Sequence, residues 1–135
     1  MAAEEPPRPL VIVDAANVVG SVPDGWWRDR VGATERLRDA LMTVAEHGLP
    51  DWDHRPPFDV VLVVEGAARS VKDAPGVRVV AAPGSGDDTI VDLVRRESTG
   101  RPTLVVTADR QLRERVRALG AAVAGPRTVP RRPRS

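Results

Sequence analysis

Acidic side chains stand where the apolar runs of this chain end or where the following segment begins. They are Asp14 after the first run, Glu65 after the second, Asp87 and Asp88 after the third, and Asp109 after the fourth. Carboxylates gathered in one place repel one another unless protons or a divalent cation neutralise them. Oxygen ligands without histidine or cysteine suit Mg²⁺ or Mn²⁺. These residue types therefore predict a magnesium site, with manganese as the alternative ion.

A cation held by carboxylates is typical of phosphoryl-transfer chemistry. It polarises a phosphate oxygen and lowers the pKa of a bound water, and a second ion about 3.5–4 Å away can stabilise the leaving oxygen. Such a hydrolase needs no nucleophilic side chain, which agrees with a chain that has no cysteine. His47 and His54 have no partner at ligand spacing, so we interpret both as ordinary surface residues.

Each acidic residue also has an ordinary structural interpretation. Asp87 and Asp88 could cap a helix, and Asp109 could cap the helix that begins at Arg110. Glu65 could be a turn residue. Their joint occurrence at one edge of a sheet is what favours the functional interpretation.

Strands and helices alternate along the chain. The apolar runs predict strands at 9–14, 58–66, 77–82, 102–109 and 121–125, and the periodic segments predict helices at 30–48, 87–98 and 110–120. Residues between the first strand and the first helix are expected to form a loop and a turn at 22–27. This alternation predicts a three-layer α/β/α fold around a mainly parallel sheet of about five strands. Ligands bind outside the carboxyl ends of such strands, where the acidic residues are expected.

The length of 135 residues predicts one domain, at 9–125. Residues 1–8, rich in Pro and Glu, and the basic segment 126–135 are expected to be disordered tails. The second tail holds four arginines, so it could instead contact a polyanion. The chain has no secretory signal and no apolar run near the about 18 residues of a membrane span, which predicts a cytoplasmic protein.

Three segments together resemble a known family. They are "IVDAANVVGS", "SGDDTIVDLV" and "VVTADRQLRERV". They are similar, in this order and spacing, to motifs of the PIN-like nucleases, most closely of the NYN branch with the bacterial YacP-type ribonucleases. The resemblance runs from about residue 10 to residue 125, and it implies a metal-dependent ribonuclease on a PIN-like fold.

The resemblance also implies roles for individual residues. Asp14, Asp87 and Asp109 would be metal ligands, and Asn17 would position the first loop. Asp88 would assist through water or substrate contact. We include Asp88 and the carboxylate after the second strand, Glu65, in the predicted ligand set.

The expected substrate is RNA, either single-stranded or in a loop. Arg28, Arg69 and Arg110 are the predicted phosphate contacts, although Arg110 could instead form a local ion pair. Trp26 and Trp27 could stack on an unpaired base. The alternative for the pair is that one ring joins the core and the other is partly exposed.

Other functions stay open at this point. The domain could be an inactive module that binds RNA or a regulatory partner without turnover. It could also be a receiver-like domain with Asp14 as phosphoacceptor, although the single lysine, Lys72, is not where such a domain needs one. A ribonuclease could be the toxin of a toxin–antitoxin pair, so a ribosome and an antitoxin are candidate partners. The sequence predicts no oligomeric state.

Overall fold

Five parallel strands form the centre of this protein, which a computed structural model describes for residues 7–22 and 25–130. The strands are β1 (Leu10–Asp14), β2 (Asp59–Val64), β3 (Val77–Ala81), β4 (Thr103–Val106) and β5 (Ala122–Ala124). Their order is β3-β2-β1-β4-β5, and every neighbouring pair is parallel. The predicted fold class is therefore confirmed, with a sheet that is parallel throughout.

In the described part of the chain, four α-helices pack on this sheet. They are α1 (Ala15–Gly20), α2 (Arg30–His47), α3 (Gly86–Glu97) and α4 (Arg110–Arg117). The three predicted helices are confirmed within a few residues at each end. The prediction of a loop after β1 is wrong, because α1 begins directly after Asp14. The Asp14 side chain caps this helix by accepting a hydrogen bond from the Asn17 amide at 3.4 Å.

Alternate residues of the strands form two separate cores. Val11 and Val13 pack with α1 and α2 on one face. Leu10 and Ile12 pack with α3 and α4 on the other. All five residues of β1 are buried, as expected for a strand covered on both faces. The result is a three-layer arrangement whose strand ends are held from both sides.

The strand order reverses between β1 and β4. The chain leaves β1 for β2 and β3 on one side, then returns to place β4 on the other. Such a switch point opens a crevice at the carboxyl ends of the two strands, which is where ligands bind in open parallel sheets. Receiver domains have the different order 2-1-3-4-5, so the receiver-like alternative is wrong.

The C-terminal end of the fold lies beyond its predicted position. A short 3-10 turn at Pro126–Thr128 follows β5, and Val129 is only 3% exposed within the core on the α1 and α2 face. The predicted tail at 126–135 therefore begins too early. Residues 131–135, most of the predicted N-terminal tail (1–6) and two residues of the predicted turn (23–24) lie outside the described residues. Within the described ranges, no helix combines the length and apolar character that crossing a bilayer needs.

Candidate active site at the carboxyl edge of the sheet

Asp14 is the most deeply placed acidic residue of the edge. It is 7% exposed, and its Oδ2 accepts a hydrogen bond from the Thr107 hydroxyl at 2.9 Å. Burial raises the pKa of Asp14 above its usual range, while the hydrogen bonds from Thr107 and the Asn17 amide lower it. The negative charges of Asp87 and Glu65 raise this pKa further. The fold thus holds a carboxylate where its charged form is disfavoured.

Two polar side chains tie the start of α1 to the loop before α4. Thr107 is fully buried; its hydroxyl donates to Asp14 and accepts from the Asp109 amide at 3.2 Å. The Asn17 side-chain oxygen accepts from the Ala108 amide at 2.9 Å. Asn17 therefore positions the loop of Asp109, whereas the sequence placed it only in a loop beside Asp14. Thr107 was not predicted from the sequence, although it lies two residues before Asp109 in a segment that carries the family resemblance.

Asp109 has a structural role as well as a place in the acidic cluster. Its Oδ1 accepts from the Leu112 amide at 3.0 Å and so caps α4. Its charge also raises the pKa of Asp87. Asp109 therefore caps α4 and also acts on the charge of Asp87, and its predicted role as a metal ligand stays a prediction.

Glu65 joins the end of β2 to the start of α3. Its Oε2 accepts a hydrogen bond from the Gly86 amide. A Cβ on Gly86 would lie 3.0 Å from that oxygen, so glycine permits the close approach. The Glu65 carboxylate raises the pKa of both Asp14 and Asp87, which places its charge inside the cluster.

Asp87 is the centre of the cluster. Partial burial is the largest cause of the raised pKa of Asp87. The charges of Asp109, Glu65 and Asp88 raise this pKa further, while the charge of Arg115 lowers it. Asp87 accepts no hydrogen bond from any residue in the described ranges. Its oxygens are therefore available to a ligand.

Asp88 forms an ion pair with α4. Its side chain is 86% exposed, and its Oδ1 lies 3.0 Å from Arg115 Nη2. Arg115, the cation that partly compensates the acidic edge, was not predicted from the sequence. Only the packing of α3 against α4 reveals this pair, since 27 residues separate its members.

The carboxylate side chains at this edge have the chemistry that a hard divalent cation needs. All its members are carboxylates, and they repel one another without enough basic neighbours to neutralise them. In geometry, residues 7–22 and 25–130 contain no three acidic or histidine side chains arranged closely enough to hold one ion. The five predicted metal ligands therefore stay predictions. Mg²⁺ is commonly bound through one or two carboxylates, with water and substrate phosphate completing its shell, and this edge offers that smaller set.

The three arginines predicted to bind phosphate are all exposed, but they lie in different surroundings. Arg69 is in the short turn after β2, at Gly66–Ser70. Arg110 opens α4 and makes no ion pair with any described residue, so the local ion pair considered for it is not formed. Arg28 stacks over Trp27, with its guanidinium 6.0 Å from the ring centroid. A further basic residue, Arg30, was missed; its Nη1 is 3.8 Å from where a Cβ on Gly66 would lie.

The fold is shared with a protein of known structure. A crystal structure of a point mutant of Rae1 (YacP) from Bacillus subtilis superimposes with a TM-score of 0.68 over 90% of this chain and 72% of that chain, at 16% sequence identity. At this identity the likeness shows a common fold. No protein-family model matches the chain, and none of the curated proteins matches it by sequence. The protein therefore has a YacP-like three-layer fold with a cluster of carboxylates at its switch point.

Proposed function

We propose that this protein is a metal-dependent ribonuclease of the PIN-like, NYN type that hydrolyses single-stranded or loop RNA in the cytoplasm. The observation that carries the proposal is the cluster of Asp14, Glu65, Asp87 and Asp109, in which burial and mutual repulsion raise the pKa of Asp14 and Asp87. The YacP-like fold and the three motifs similar to YacP-type ribonucleases support it.

The charge of the edge argues for a cation between protein and substrate. Bare carboxylates repel the phosphates of RNA, so a substrate phosphate can approach Asp87 closely only when positive charge lies between them. A bound Mg²⁺ or Mn²⁺ would supply that charge, polarise a phosphate oxygen and activate water. Asp14 and Asp87 would hold the ion, with Asp109 and Glu65 contributing directly or through water.

The other residues of the edge would position these ligands and the substrate. Thr107 fixes the Asp14 carboxylate, and Asn17 fixes the loop that carries Asp109. The exposed guanidinium groups of Arg69 and Arg110 would contact phosphates on either side of the cut.

The test is a cleavage assay on mixed cellular RNA with added Mg²⁺ or Mn²⁺. EDTA should abolish cleavage. Asp14→Asn and Asp87→Asn should each lower the rate by about 100-fold or more, because even outer-shell partners of metal ligands are worth about 10- to 100-fold. Asp92→Asn is the matched control, since this exposed carboxylate of α3 pairs with Arg96 at 3.0 Å, outside the cluster. Unchanged cleavage by both cluster variants would refute the proposal.

A second candidate is an RNA-binding module without turnover. The observation that favours it is the lack, among the described residues, of three carboxylates arranged for one ion. It predicts that the protein retains RNA but forms no product in Mg²⁺ or Mn²⁺, at any protein concentration. The same assay, with RNA retention measured in parallel, separates the two functions.

A further inference from the structure

Trp27 presents a large apolar surface to solvent. Trp27 is 57% exposed. Among the described residues, the only other large apolar residue that is well exposed is Leu119, at 37%. The Trp26 ring packs against the Trp27 ring. The two rings meet edge to face at 86°, with centroids 6.1 Å apart. Trp26 is partly buried against the core, with Cζ2 3.7 Å from where a Cβ on Gly20 would lie. The Trp26 ring is therefore packed against the core and the Trp27 ring is exposed to solvent, an arrangement that the sequence left open.

Two arginines flank the indole pair. The guanidinium of Arg28 lies 6.0 Å from the centroid of Trp27, and that of Arg30 lies 5.2 Å from the centroid of Trp26. Neither arginine forms an ion pair with any residue in the described ranges. Asp29, between them in sequence, is occupied as the cap of α2 and accepts from the Gly32 amide at 2.9 Å. The surface thus combines an exposed aromatic face with two guanidinium groups that pair with no acidic side chain of the described residues.

This surface lies next to two segments that carry residues of the acidic cluster. Arg30 reaches Gly66, the residue directly after Glu65. The Trp26 ring lies next to Gly20, the last residue of the helix that starts after Asp14. The six residues of α1, which rise about 9 Å, separate Asp14 from the end of the helix beside Trp26.

We propose that Trp27 is a stacking platform for one unpaired base of an RNA strand, with Arg28 and Arg30 contacting the phosphates beside that base. The inference rests on the proposed function, because it gives the acidic edge a substrate that is single-stranded next to the cut. An exposed indole stacks on any base that has a free face, whereas a base inside a duplex is already covered on both faces. The platform would therefore select unpaired RNA by structure rather than by sequence.

The experiment measures binding apart from cleavage. The Asp14→Asn protein, with Mg²⁺ present, is titrated into a short fluorescein-labelled single-stranded RNA and into the duplex of the same sequence, and fluorescence anisotropy is followed. Adding Trp27→Ala should weaken single-strand binding by about 10-fold, the effect of losing one stacked base, and leave duplex binding unchanged. Trp27→Phe should recover most of the affinity. Leu119→Ala is the matched control for an exposed apolar side chain and should have no effect.

Each outcome decides the proposal. Single-strand affinity that is the same with Trp27→Ala as without it overturns the platform, and it leaves a protein partner as the occupant of this surface. An equal loss on duplex also overturns it, since that loss would reflect a general change in the protein. If the wild-type chain cleaves no RNA but Trp27→Ala weakens single-strand binding, the platform stands and the ribonuclease proposal falls.

Discussion

Asp14 is a single residue whose charge the fold makes costly. It is nearly buried, its hydrogen-bond partners compensate only in part, and two carboxylates act on it. A buried carboxylate of this kind gains from any ligand that brings positive charge. Asp14 is therefore the residue that most favours a cation at this edge. The pH dependence of its contribution to stability can be measured.

The first prediction concerns Asp14→Asn and pH, measured in EDTA. Because the folded-state pKa of Asp14 is raised, its contribution to stability is full below the ordinary carboxyl pKa and is lost as pH rises through the raised value. At neutral pH the charge is a net cost, so Asp14→Asn should raise the free energy of unfolding. Asparagine also caps helices as well as aspartate does. The gain should disappear in acid, which denaturant unfolding at several pH values measures.

The control for this prediction is Asp92→Asn. Asp92 is exposed and pairs with Arg96 on the same helix, so its removal should cost a few tenths of a kcal/mol, about 0.3–0.5 for such a pair. Asp14→Asn behaving like this control, or a difference from the parent chain that does not change with pH, would contradict the burial argument.

All the strands of the sheet and the helices α2, α3 and α4 were predictable from the sequence, whereas α1 was not. The apolar runs of β1, β2 and β4 and the periodicity of α2 and α3 identified these elements. The six residues of α1 are too few to show a period, and they form a helix because Asp14 caps them and Val18 and Val19 enter the core. Asp29 caps α2, and Thr34, whose type also favours helix starts, is instead buried within the helix with its hydroxyl bonded to the Arg30 carbonyl at 2.7 Å.

Contacts between elements were the part of the site that the sequence could not reveal. Acidic residues at strand ends follow from the order of the elements, so Asp14, Glu65 and Asp109 were found. The link from Asn17 to Ala108 and the pair of Arg115 with Asp88 depend on how helices pack, and no local pattern encodes them.

The second prediction tests α1 as the holder of the Asp109 loop. Asn17→Ala leaves the Ala108 amide without its partner, which should lower the free energy of unfolding by about 0.5–1.5 kcal/mol. Under the proposed function, Asp109 would act on the reacting phosphate through the cation, so cleavage should fall through kcat more than KM. Thermal unfolding and steady-state cleavage of a labelled RNA measure both effects.

Ser21→Ala provides the comparison for Asn17. Its hydroxyl donates to the Val18 carbonyl at 2.6 Å, so this bond stays within the end of α1. We expect a similar small loss of stability and no change in kcat. Equal kcat for the two variants would show that Asn17 has only a structural role.

At the scale of the whole molecule, the fold extends further than its last strand. Val129 closes the core on the α1 and α2 face although it lies beyond β5. The third prediction is that Val129→Ala lowers the free energy of unfolding by about 1–3 kcal/mol, as for other buried apolar truncations. Arg127→Ala, exposed in the preceding turn, should change it by less than about 0.5 kcal/mol. Denaturant unfolding compares the two; equal effects would place the end of the fold before Val129.

The acidic edge is itself a property of the whole fold, since its members come from positions 14 to 109 and meet only when the sheet is complete. A cation that binds this edge binds the folded state alone, so it must stabilise the protein by mass action, by about 2.7 kcal/mol at a hundred times its Kd. The fourth prediction is that Mn²⁺ raises Tm in a saturable way and that EDTA reverses the effect. The rise should be smaller in acid, where protons compete for the carboxylates.

Asp87→Asn gives this last prediction its sharpest form. Asp87 is the carboxylate on which Asp109, Glu65 and Asp88 all act, so its loss should remove most of the Mn²⁺-dependent rise in Tm. Asp92→Asn removes the same charge from the same helix outside the cluster and should keep the full rise. Ions held loosely by the general negative charge of α3 would give both variants the same response. That result would show that Asp87 and the neighbouring carboxylates hold no common ion, whether or not the protein binds RNA.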